Sequence, residues 1–270
     1  MKKLFLISIL VSTLLIISCG ESQDKKVDVV GQEVEYNSEG TVLKGYLAYD
    51  KNIEGKRPGV LVVHEWWGHN DYARQRARML AELGYTALAV DMFGEGQKAD
   101  HPEDAQKFAS AIFSNVQMGE QRFLAAHAFL RDQETVDADA IAAIGYCFGG
   151  AVVLHMARIG MDLKAVASFH GGIQAITPAE EGKVKAFVLV CNGADDPFVT
   201  QEQIDAFKKE MDDAKVQYEF VNYEGAIHSF TSLAADSLGK KFNMPLAYNE
   251  NADKESWQEL QKVFNKVFSK

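Results

Sequence analysis

A single cysteine framed by glycines, in the run Gly145-Tyr146-Cys147-Phe148-Gly149-Gly150, constrains this chain more than any other feature. The run stands between a strand-like segment, Ile141 to Ile144, and a helix-like segment, Ala151 to Arg158. Strand, sharp turn and helix form the context of the nucleophile elbow G-x-S-x-G, here with sulfur in place of oxygen. Such a turn strains the backbone of its central residue, and a Cβ two residues away would collide with the neighbouring strand or helix. The pattern therefore predicts a thiol raised above the carboxyl edge of a sheet.

Candidate acid and base residues follow the elbow in the chain order that one fold uses. Asp196 comes after the apolar run Ala186 to Cys191, and His228 comes after the strand-like segment Val216 to Tyr223. Nucleophile, acid and then histidine is the order of the α/β-hydrolase fold and differs from the orders of other triad folds. We therefore expect Cys147 to be the nucleophile, His228 to accept its proton and later activate water, and Asp196 to fix the histidine tautomer.

Two of these assignments leave alternatives open. Asp195 competes with Asp196 for the acid position, and one of the two could instead cap a helix that begins near Gln201 or the turn at Pro197. Cys147 could be a packing residue, or a disulfide to Cys191 could remove it as a nucleophile. For Cys191 itself, a small buried apolar residue is the simpler interpretation.

The predicted donors to an oxyanion are the backbone N–H of Phe148 and that of Trp66, in the loop after an apolar strand. The side chains of Trp66 and Trp67 could line an apolar pocket or pack against one. His64 and His69 lack the spacing of a helical zinc pair, so we predict neither a metal nor a cofactor.

Strand-like and helix-like segments alternate along the rest of the chain. This alternation predicts an α/β fold, with a mostly parallel, doubly wound sheet and helices on both faces. A hairpin of Val34 to Tyr36 and Val42 to Tyr49 is expected before it. A helix from Asp71 to Leu83 is expected with Asp71 as its N-cap, and a last helix over about Ala252 to Phe268. The stretch from Ser237 to Asn251 is expected to be irregular.

The first residues have the pattern of an export signal. Lys2 and Lys3 precede an apolar run from Leu4 to Ile17, which is too short to span a membrane as a helix and matches the apolar region of a signal peptide. The small residue before Cys19 resembles a lipobox, so residues 1–18 are predicted to be a lipoprotein signal peptide and Cys19 to carry the lipid. An ordinary signal peptide with an incidental cysteine is the alternative.

Residues 19–30 are then expected to be a solvated, lipidated tether and residues 31–270 a single hydrolase-like domain. The protein would be exported and anchored, through its lipid alone, on the periplasmic or cell-surface side of a bacterial membrane. The formal net charge of the chain is −10, and loss of Lys2 and Lys3 with the signal peptide would make it −12. That sign disfavours nucleic acid as a partner and leaves a small molecule as the expected one.

The runs His64-Glu65-Trp66-Trp67-Gly68, Gly145 to Gly150 and His228-Ser229-Phe230, together with Asp196, resemble the dienelactone hydrolase family of α/β-hydrolases over roughly residues 30–268. The resemblance implies hydrolysis of small esters or lactones by a Cys, Asp, His triad. The spacing Gly193-x-x-Asp196-x-x-Val199 matches the acid loop of the family and favours Asp196 over Asp195.

The resemblance also implies a catalytic role for Glu65, because the matching glutamate in the family contacts the thiol and helps convert it to thiolate. The alternative is a loop carboxylate that pairs with a nearby arginine such as Arg74. Members that act on dienelactone hold its carboxylate with arginines, one of them four residues after the catalytic histidine, where this chain has Ser232. A neutral ester, lactone or thioester therefore fits at least as well as a carboxylated lactone.

Two other function classes compete with a hydrolase. The chain could be a lipid-anchored binding module that keeps the fold without catalysis, and unreactive Cys147 would then be expected. A peptidase on the same fold is the third hypothesis, although nothing in the sequence specifies a peptide groove.

Overall fold

The computed structural model describes residues 26–269. The described chain alternates strands and helices in the following order: β1 (Val29–Ser38), β2 (Thr41–Asp50), β3 (Arg57–Val63), α1 (Asp71–Glu82), β4 (Thr86–Val90), α2 (Pro102–Ser114), α3 (Val116–Arg131), β5 (Val136–Tyr146), α4 (Phe148–Arg158), β6 (Ala165–Phe169), β7 (Phe187–Gly193), α5 (Gln201–Asp213), β8 (Tyr218–Tyr223), α6 (Ala235–Phe242) and α7 (Glu250–Phe268).

The strands form one eight-stranded sheet in the order β1-β2-β4-β3-β5-β6-β7-β8. Strand β2 of the β1–β2 hairpin pairs antiparallel with β4. The other six strands, in the spatial order β4-β3-β5-β6-β7-β8, are all parallel. Helices α1 and α7 pack on one face, with Leu80 and Leu260 in that core, while α2 to α5 cover the other face with residues such as Phe123 and Phe207. The predicted doubly wound α/β fold, with helices on both faces, is confirmed.

Parallel register brings the ends of the central strands together at one edge. Val63 of β3 lies opposite Gly145 of β5, and Tyr146 lies opposite Phe169 of β6. Because these strands are buried on both faces and end side by side, the loops that follow them all open at the same edge. This edge carries the loops that contain Glu65 and Cys147 as well as those that contain His170 and Asp196.

Several predicted boundaries were wrong in detail. Asn70, rather than Asp71, caps α1: its Oδ1 accepts hydrogen bonds from Tyr72 N at 3.1 Å and Ala73 N at 3.5 Å. The segment predicted to be irregular contains most of α6, a helix of eight residues. Strand β1 begins at Val29, two residues inside the predicted tether.

The predicted signal peptide and Cys19 lie outside the described residues. Within residues 26–269, no helix is both long and apolar enough to cross a bilayer.

Candidate active site

Cys147 occupies the sharp turn between β5 and α4. Its backbone adopts φ 52° and ψ −114°, and its N–H donates to Phe169 O at 3.0 Å. A Cβ on Gly145 would lie 2.0 Å from Gly149 O, and one on Gly149 would lie 2.3 Å from Val63 O. The close approaches predicted around the elbow are therefore present, and only glycine fits at these two positions.

The structure brings Cys147, His228 and Asp196 into one hydrogen-bonded row. His228 Nε2 lies 3.1 Å from Cys147 Sγ, and His228 Nδ1 lies 2.8 Å from Asp196 Oδ2. Asp196 is buried, and its other oxygen accepts a hydrogen bond from Phe198 N at 2.9 Å. The competing acid, Asp195, is exposed. The arrangement has the spacing that nucleophile, base and orienting acid need.

Neither aspartate caps the helix that follows. Thr200 is the N-cap of α5, where its hydroxyl accepts from Gln203 N and the Gln203 side chain accepts in turn from Thr200 N. Cys147 and Cys191 are both free thiols, so no disulfide removes the candidate nucleophile. Cys191 is wholly buried, and burial raises the pKa of its thiol to about 12.

The charge of His228 follows from its two neighbours. Burial of the ring disfavours the charged form, but the Cys147 sulfur and the Asp196 carboxylate outweigh it and raise the pKa of His228 from 6.5 to about 10. An imidazolium is therefore the dominant form of this ring at neutral pH while it faces those partners. The imidazolium places a positive charge 3.1 Å from the Cys147 sulfur, whose thiolate is the nucleophilic form of cysteine.

Glu65 is buried at the same edge but reaches the site through a serine. Its Oε1 accepts a hydrogen bond from Ser229 Oγ at 3.0 Å, and Ser229 is the residue after His228. Burial raises the pKa of Glu65, although the Ser229 hydrogen bond and the positive charges of His228 and Arg76 oppose that shift. Among residues 26–269, no hydrogen bond joins this carboxylate to Cys147.

The alternative partner predicted for Glu65 was wrong. Arg74 pairs with Glu33, at 3.0 Å between Nη1 and Oε1, and not with Glu65. Within residues 26–269 Glu65 forms no salt bridge with an arginine, and Ser229 Oγ donates the hydrogen bond that holds its carboxylate.

The two predicted oxyanion donors follow the neighbouring strands β5 and β3 at this edge. Phe148 is the first residue of α4 and Trp66 lies in the turn after β3, and in the described chain neither backbone N–H donates a hydrogen bond to another protein group. Trp66 is half-buried and packs edge-on against Trp67 with ring centroids 5.1 Å apart.

Two cavities lie at this edge and differ in character. One, of about 340 Å³, opens beside Cys147 and Phe148 and has mostly apolar walls. The other, of about 730 Å³, has Glu65 and Trp67 in its wall together with charged side chains that include Lys98 and Lys241. Trp67 thus lines a polar cavity, whereas Trp66 packs against its neighbour.

The model of the dienelactone hydrolase family matches residues 43–268. This chain belongs to the dienelactone hydrolase family. It is accordingly a hydrolase of the ester and lactone class.

Solved structures of this family resemble the chain closely. The structure m3DLH shares 40% sequence identity with a TM-score of 0.83, covering 89% of this chain and 99% of that one. The dienelactone hydrolase-like promiscuous phosphotriesterase P91, from metagenomic libraries, shares 36% identity with a TM-score of 0.82 and the same coverage. Among curated proteins, protein usf of Aquifex pyrophilus is 28% identical over 205 residues, which are 74% of this chain and 87% of that protein.

This dienelactone hydrolase family member has no arginine free to hold a substrate carboxylate after the elbow. Ser232 lies four residues after His228, where the family resemblance implies an arginine in members that act on dienelactone. It lines the cavity that also has Glu65 in its wall. Arg158 is buried and pairs with Glu210, since its Nε and Nη2 each lie 2.9 Å from a carboxylate oxygen. Arg158 is the last residue of α4, and its contacts there are structural.

Two polar residues at the sheet edge of this hydrolase have structural roles as well. The Asp91 carboxylate accepts four backbone hydrogen bonds and so fixes its own loop. His64 is wholly buried, with Nδ1 on Glu65 O and Nε2 accepting from Met92 N.

A buried network that no sequence pattern predicted lies under the histidine loop of this hydrolase. Thr231 Oγ1 lies 2.7 Å from His170 Nε2 and 2.5 Å from Tyr72 Oη, and Thr231 O accepts from Arg76 Nη2 at 2.7 Å. The ring of His170 meets that of His228 edge-on with centroids 5.4 Å apart. The available signal was the position of His170 directly after β6, at the edge where the site forms. Burial and the charge of His228 lower the pKa of His170 well below its ordinary value, so this ring is neutral.

Proposed function

We propose that this hydrolase cleaves small, uncharged carboxylic esters or lactones with Cys147 as nucleophile and a covalent thioester intermediate. The observation that carries the proposal is the continuous row from sulfur to carboxylate, 3.1 Å from Cys147 to His228 and 2.8 Å from His228 to Asp196. These distances are those at which a base can move a proton and an acid can orient the base.

The proposed reaction has two steps. The Cys147 thiolate attacks the carbonyl carbon, a C–S bond forms, and the ester C–O bond breaks as His228 gives its proton to the departing oxygen. The neutral His228 then takes a proton from water, which attacks the thioester, and the C–S bond breaks to release the acid and restore thiolate and imidazolium. In both steps the free N–H groups of Phe148 and Trp66 would stabilise the negative oxygen, which requires donors that no protein group already occupies.

Glu65 supports this chemistry through charge and position. Its carboxylate and the His228 ring favour each other's charged forms, and its hydrogen bond with Ser229 fixes the residue that follows His228. The family resemblance implies a contact between the Glu65 carboxylate and the Cys147 thiol. A substrate that displaced this carboxylate toward Cys147 Sγ would create that contact.

An uncharged substrate fits the walls of the site. The larger cavity balances Lys98 and Lys241 against Glu65, Asp71 and Asp100, so it offers no excess of positive charge to a carboxylate. A Salmonella typhimurium protein classed as a carboxymethylenebutenolidase is 26% identical over 84% of this chain and 84% of its own length. The carboxymethylenebutenolidase activity in that name supports ester or lactone hydrolysis as the reaction class of this chain. The balanced charges in the wall of the larger cavity favour an uncharged substrate over one that carries a carboxylate.

The proposal places the hydrolase outside the cytoplasm, anchored by a lipid on Cys19. Lys2, Lys3, the apolar run to Ile17 and the small residue before Cys19 support a lipoprotein signal peptide.

Hydrolysis of a short-chain nitrophenyl ester by the full-length protein in detergent micelles tests the chemistry. We expect a burst of nitrophenol that matches the enzyme concentration, because the thioester accumulates. Cys147→Ala should abolish burst and turnover, Cys147→Ser should weaken both, and Cys191→Ala should retain them because that thiol is buried in the core.

Turnover that survives in Cys147→Ala would contradict the proposal. Absence of turnover, together with no reaction of Cys147 with iodoacetamide at neutral pH, would instead point to a binding module that has kept the fold.

A further inference from the structure

We propose that the cavity beside Cys147 is the acyl-binding subsite and that it selects esters with a linear apolar acyl group of medium length. This inference rests on the proposed cysteine chemistry and adds the substrate class. The cavity volume is about 340 Å³. At roughly 30 Å³ for a group the size of a water molecule or a methylene, such a volume holds on the order of ten groups.

The wall of this cavity is mostly apolar and contains two polar side chains, those of Gln174 and His155. Besides Cys147 itself, the side chains that form most of it are those of Phe113, Phe148, Ala151, Ala175 and Ile176. In the described chain no Lys, Arg, Asp or Glu side chain lines it. A charged acyl group would lose its water there without gaining a partner, which is costly, whereas an alkyl group gains free energy with each buried methylene.

The cavity lies on the acyl side of the reacting carbonyl. Cys147 and Phe148 are part of its wall, but His228 and Asp196 are not. A departing oxygen must come within hydrogen-bond reach of His228 Nε2 to receive its proton. The leaving group therefore extends toward His228, and the substituent that points away from His228, over Phe148, is the acyl group.

Two large apolar side chains of this wall are exposed to solvent. Phe113 is 39% exposed and Ile176 is 48% exposed, and both line the Cys147 cavity. The same two side chains also line a small neighbouring cavity toward Val116 and Met156. Glu120 and His155 line that small cavity as well, so the apolar surface extends past the Cys147 cavity only as far as this polar pair.

The inner wall ends at a polar pair. His155 Nε2 lies 2.8 Å from Glu120 Oε1, and His155 lines both cavities. Because alkyl groups cannot satisfy this pair, the favourable contact for an acyl chain stops there, and the subsite has a finite length.

The test is a series of nitrophenyl esters from acetyl to octanoyl, hydrolysed by the full-length protein in detergent micelles below substrate saturation. We expect kcat/KM to rise about two- to fourfold for each added methylene until the cavity is full. Ala175→Trp narrows the cavity from an exposed loop position and should lower the octanoyl-to-acetyl ratio of kcat/KM by about tenfold or more, the effect of two to three buried methylenes.

Two other Ala→Trp variants serve as matched comparisons. Ala111 is exposed on α2 and lines neither cavity, so Ala111→Trp should leave the octanoyl-to-acetyl ratio unchanged. Ala234 lines the charged cavity, so Ala234→Trp should also leave the ratio unchanged if the acyl chain lies beside Phe148. A ratio that falls in Ala234→Trp and not in Ala175→Trp would overturn the proposal, as would a wild-type profile that declines steadily from acetate.

Alkylation of Cys147 separates this proposal from the proposed hydrolysis, because it needs no turnover. Rates with N-methyl and N-octyl iodoacetamide are compared, and the labelled peptide is identified by mass. The subsite is supported if the octyl reagent labels Cys147 faster than the methyl reagent and if Ala175→Trp removes this difference in rate. That result would hold even if every ester proved inert, because inert esters would refute only the proposed hydrolysis. Equal rates for both reagents, unaffected by Ala175→Trp, would refute the subsite even if esters are hydrolysed.

Discussion

The two partners of the His228 ring determine how the site responds to pH. Cys147 and Asp196 raise the pKa of His228 to about 10, so its proton is present below that pH and is lost as pH rises through it. An alkyl ester needs this proton on its leaving oxygen, whereas nitrophenolate leaves without it. We predict that kcat/KM for an ethyl ester falls above about pH 10, and that the fall is weaker for a nitrophenyl ester.

Asp196→Asn should move that alkaline limit to lower pH, because the substitution removes a charge and an acceptor that favour the imidazolium. We also expect kcat/KM to fall by about two to four powers of ten, since the orienting acid is lost. The pH profile of ethyl ester hydrolysis measures both effects. Asp195→Asn, next in the chain but exposed, is the control and should leave the profile in place. An alkaline limit that stays put in Asp196→Asn would show that this carboxylate does not set the charge of His228.

Glu65 and Ser229 should influence the same profile through a different group. Ser229→Ala removes the hydrogen bond that favours the Glu65 carboxylate, so the pKa of Glu65 should rise further and the acid limit of kcat/KM should move to higher pH. In a Glu65→Gln background, Ser229→Ala should cause no additional shift. An equal shift in both backgrounds would mean that Ser229 acts on His228 directly and that Glu65 is uninvolved.

At the scale of elements, Arg76 ties helix α1 to the histidine loop and to α7. Its Nη2 lies 2.6 Å from Asp253 Oδ1 and 2.7 Å from Thr231 O, and its guanidinium lies over the Tyr146 and Trp257 rings. Arg76→Met leaves the Asp253 carboxylate largely buried without its cation. We predict a loss of about 3 kcal/mol in the free energy of unfolding, measured by urea denaturation.

Arg74→Met on the same helix is the matched control for Arg76. Its pair with Glu33 is exposed, so we expect a cost below about 1 kcal/mol. Arg76→Lys should recover only part of the stability, because an ammonium cannot contact Asp253, Thr231 and the rings together. Equal costs for Arg74→Met and Arg76→Met would show that burial of Arg76 adds nothing.

Most elements could be predicted because each has a complete local signal. The helix predicted from Asp71 to Leu83 spans Asp71–Glu82, and the one predicted over about Ala252 to Phe268 spans Glu250–Phe268, since helical periodicity is a property of the segment itself. Helix α6 was missed because eight residues with Gly239 inside show too little periodicity. Gly239 is required because the backbone of Leu246 packs closely against it, and a Cβ at this position would lie 2.5 Å from Leu246 O.

At the scale of the whole molecule, the site divides into a part that the chain order predicts and a part that it does not. The elbow fixes Cys147, and strands that end at one edge bring Asp196 and His228 to it. The contact of Ser229 with Glu65 and that of Arg76 with Asp253 join residues 164 and 177 positions apart. No local pattern relates such pairs, because their distance depends on how helices and loops pack on the sheet.

We propose that the location of the protein depends on residues that precede the described domain. Within residues 26–269 no helix could span a bilayer, and the chain is acidic overall, so the domain itself offers little attraction to an anionic membrane surface. Membrane attachment would therefore depend on Cys19, whose thiol becomes the lipid-bearing group after cleavage in our proposal.

We predict that Cys19→Ser moves the protein from the membrane to the soluble fraction of a bacterial host and leaves hydrolysis per mole of protein unchanged, since Cys19 precedes the domain that holds Cys147. The control is Cys191→Ser, which should stay with the membrane because its thiol lies in the core. If Cys19→Ser also stayed with the membrane, a lipid on Cys19 would not be what anchors the protein.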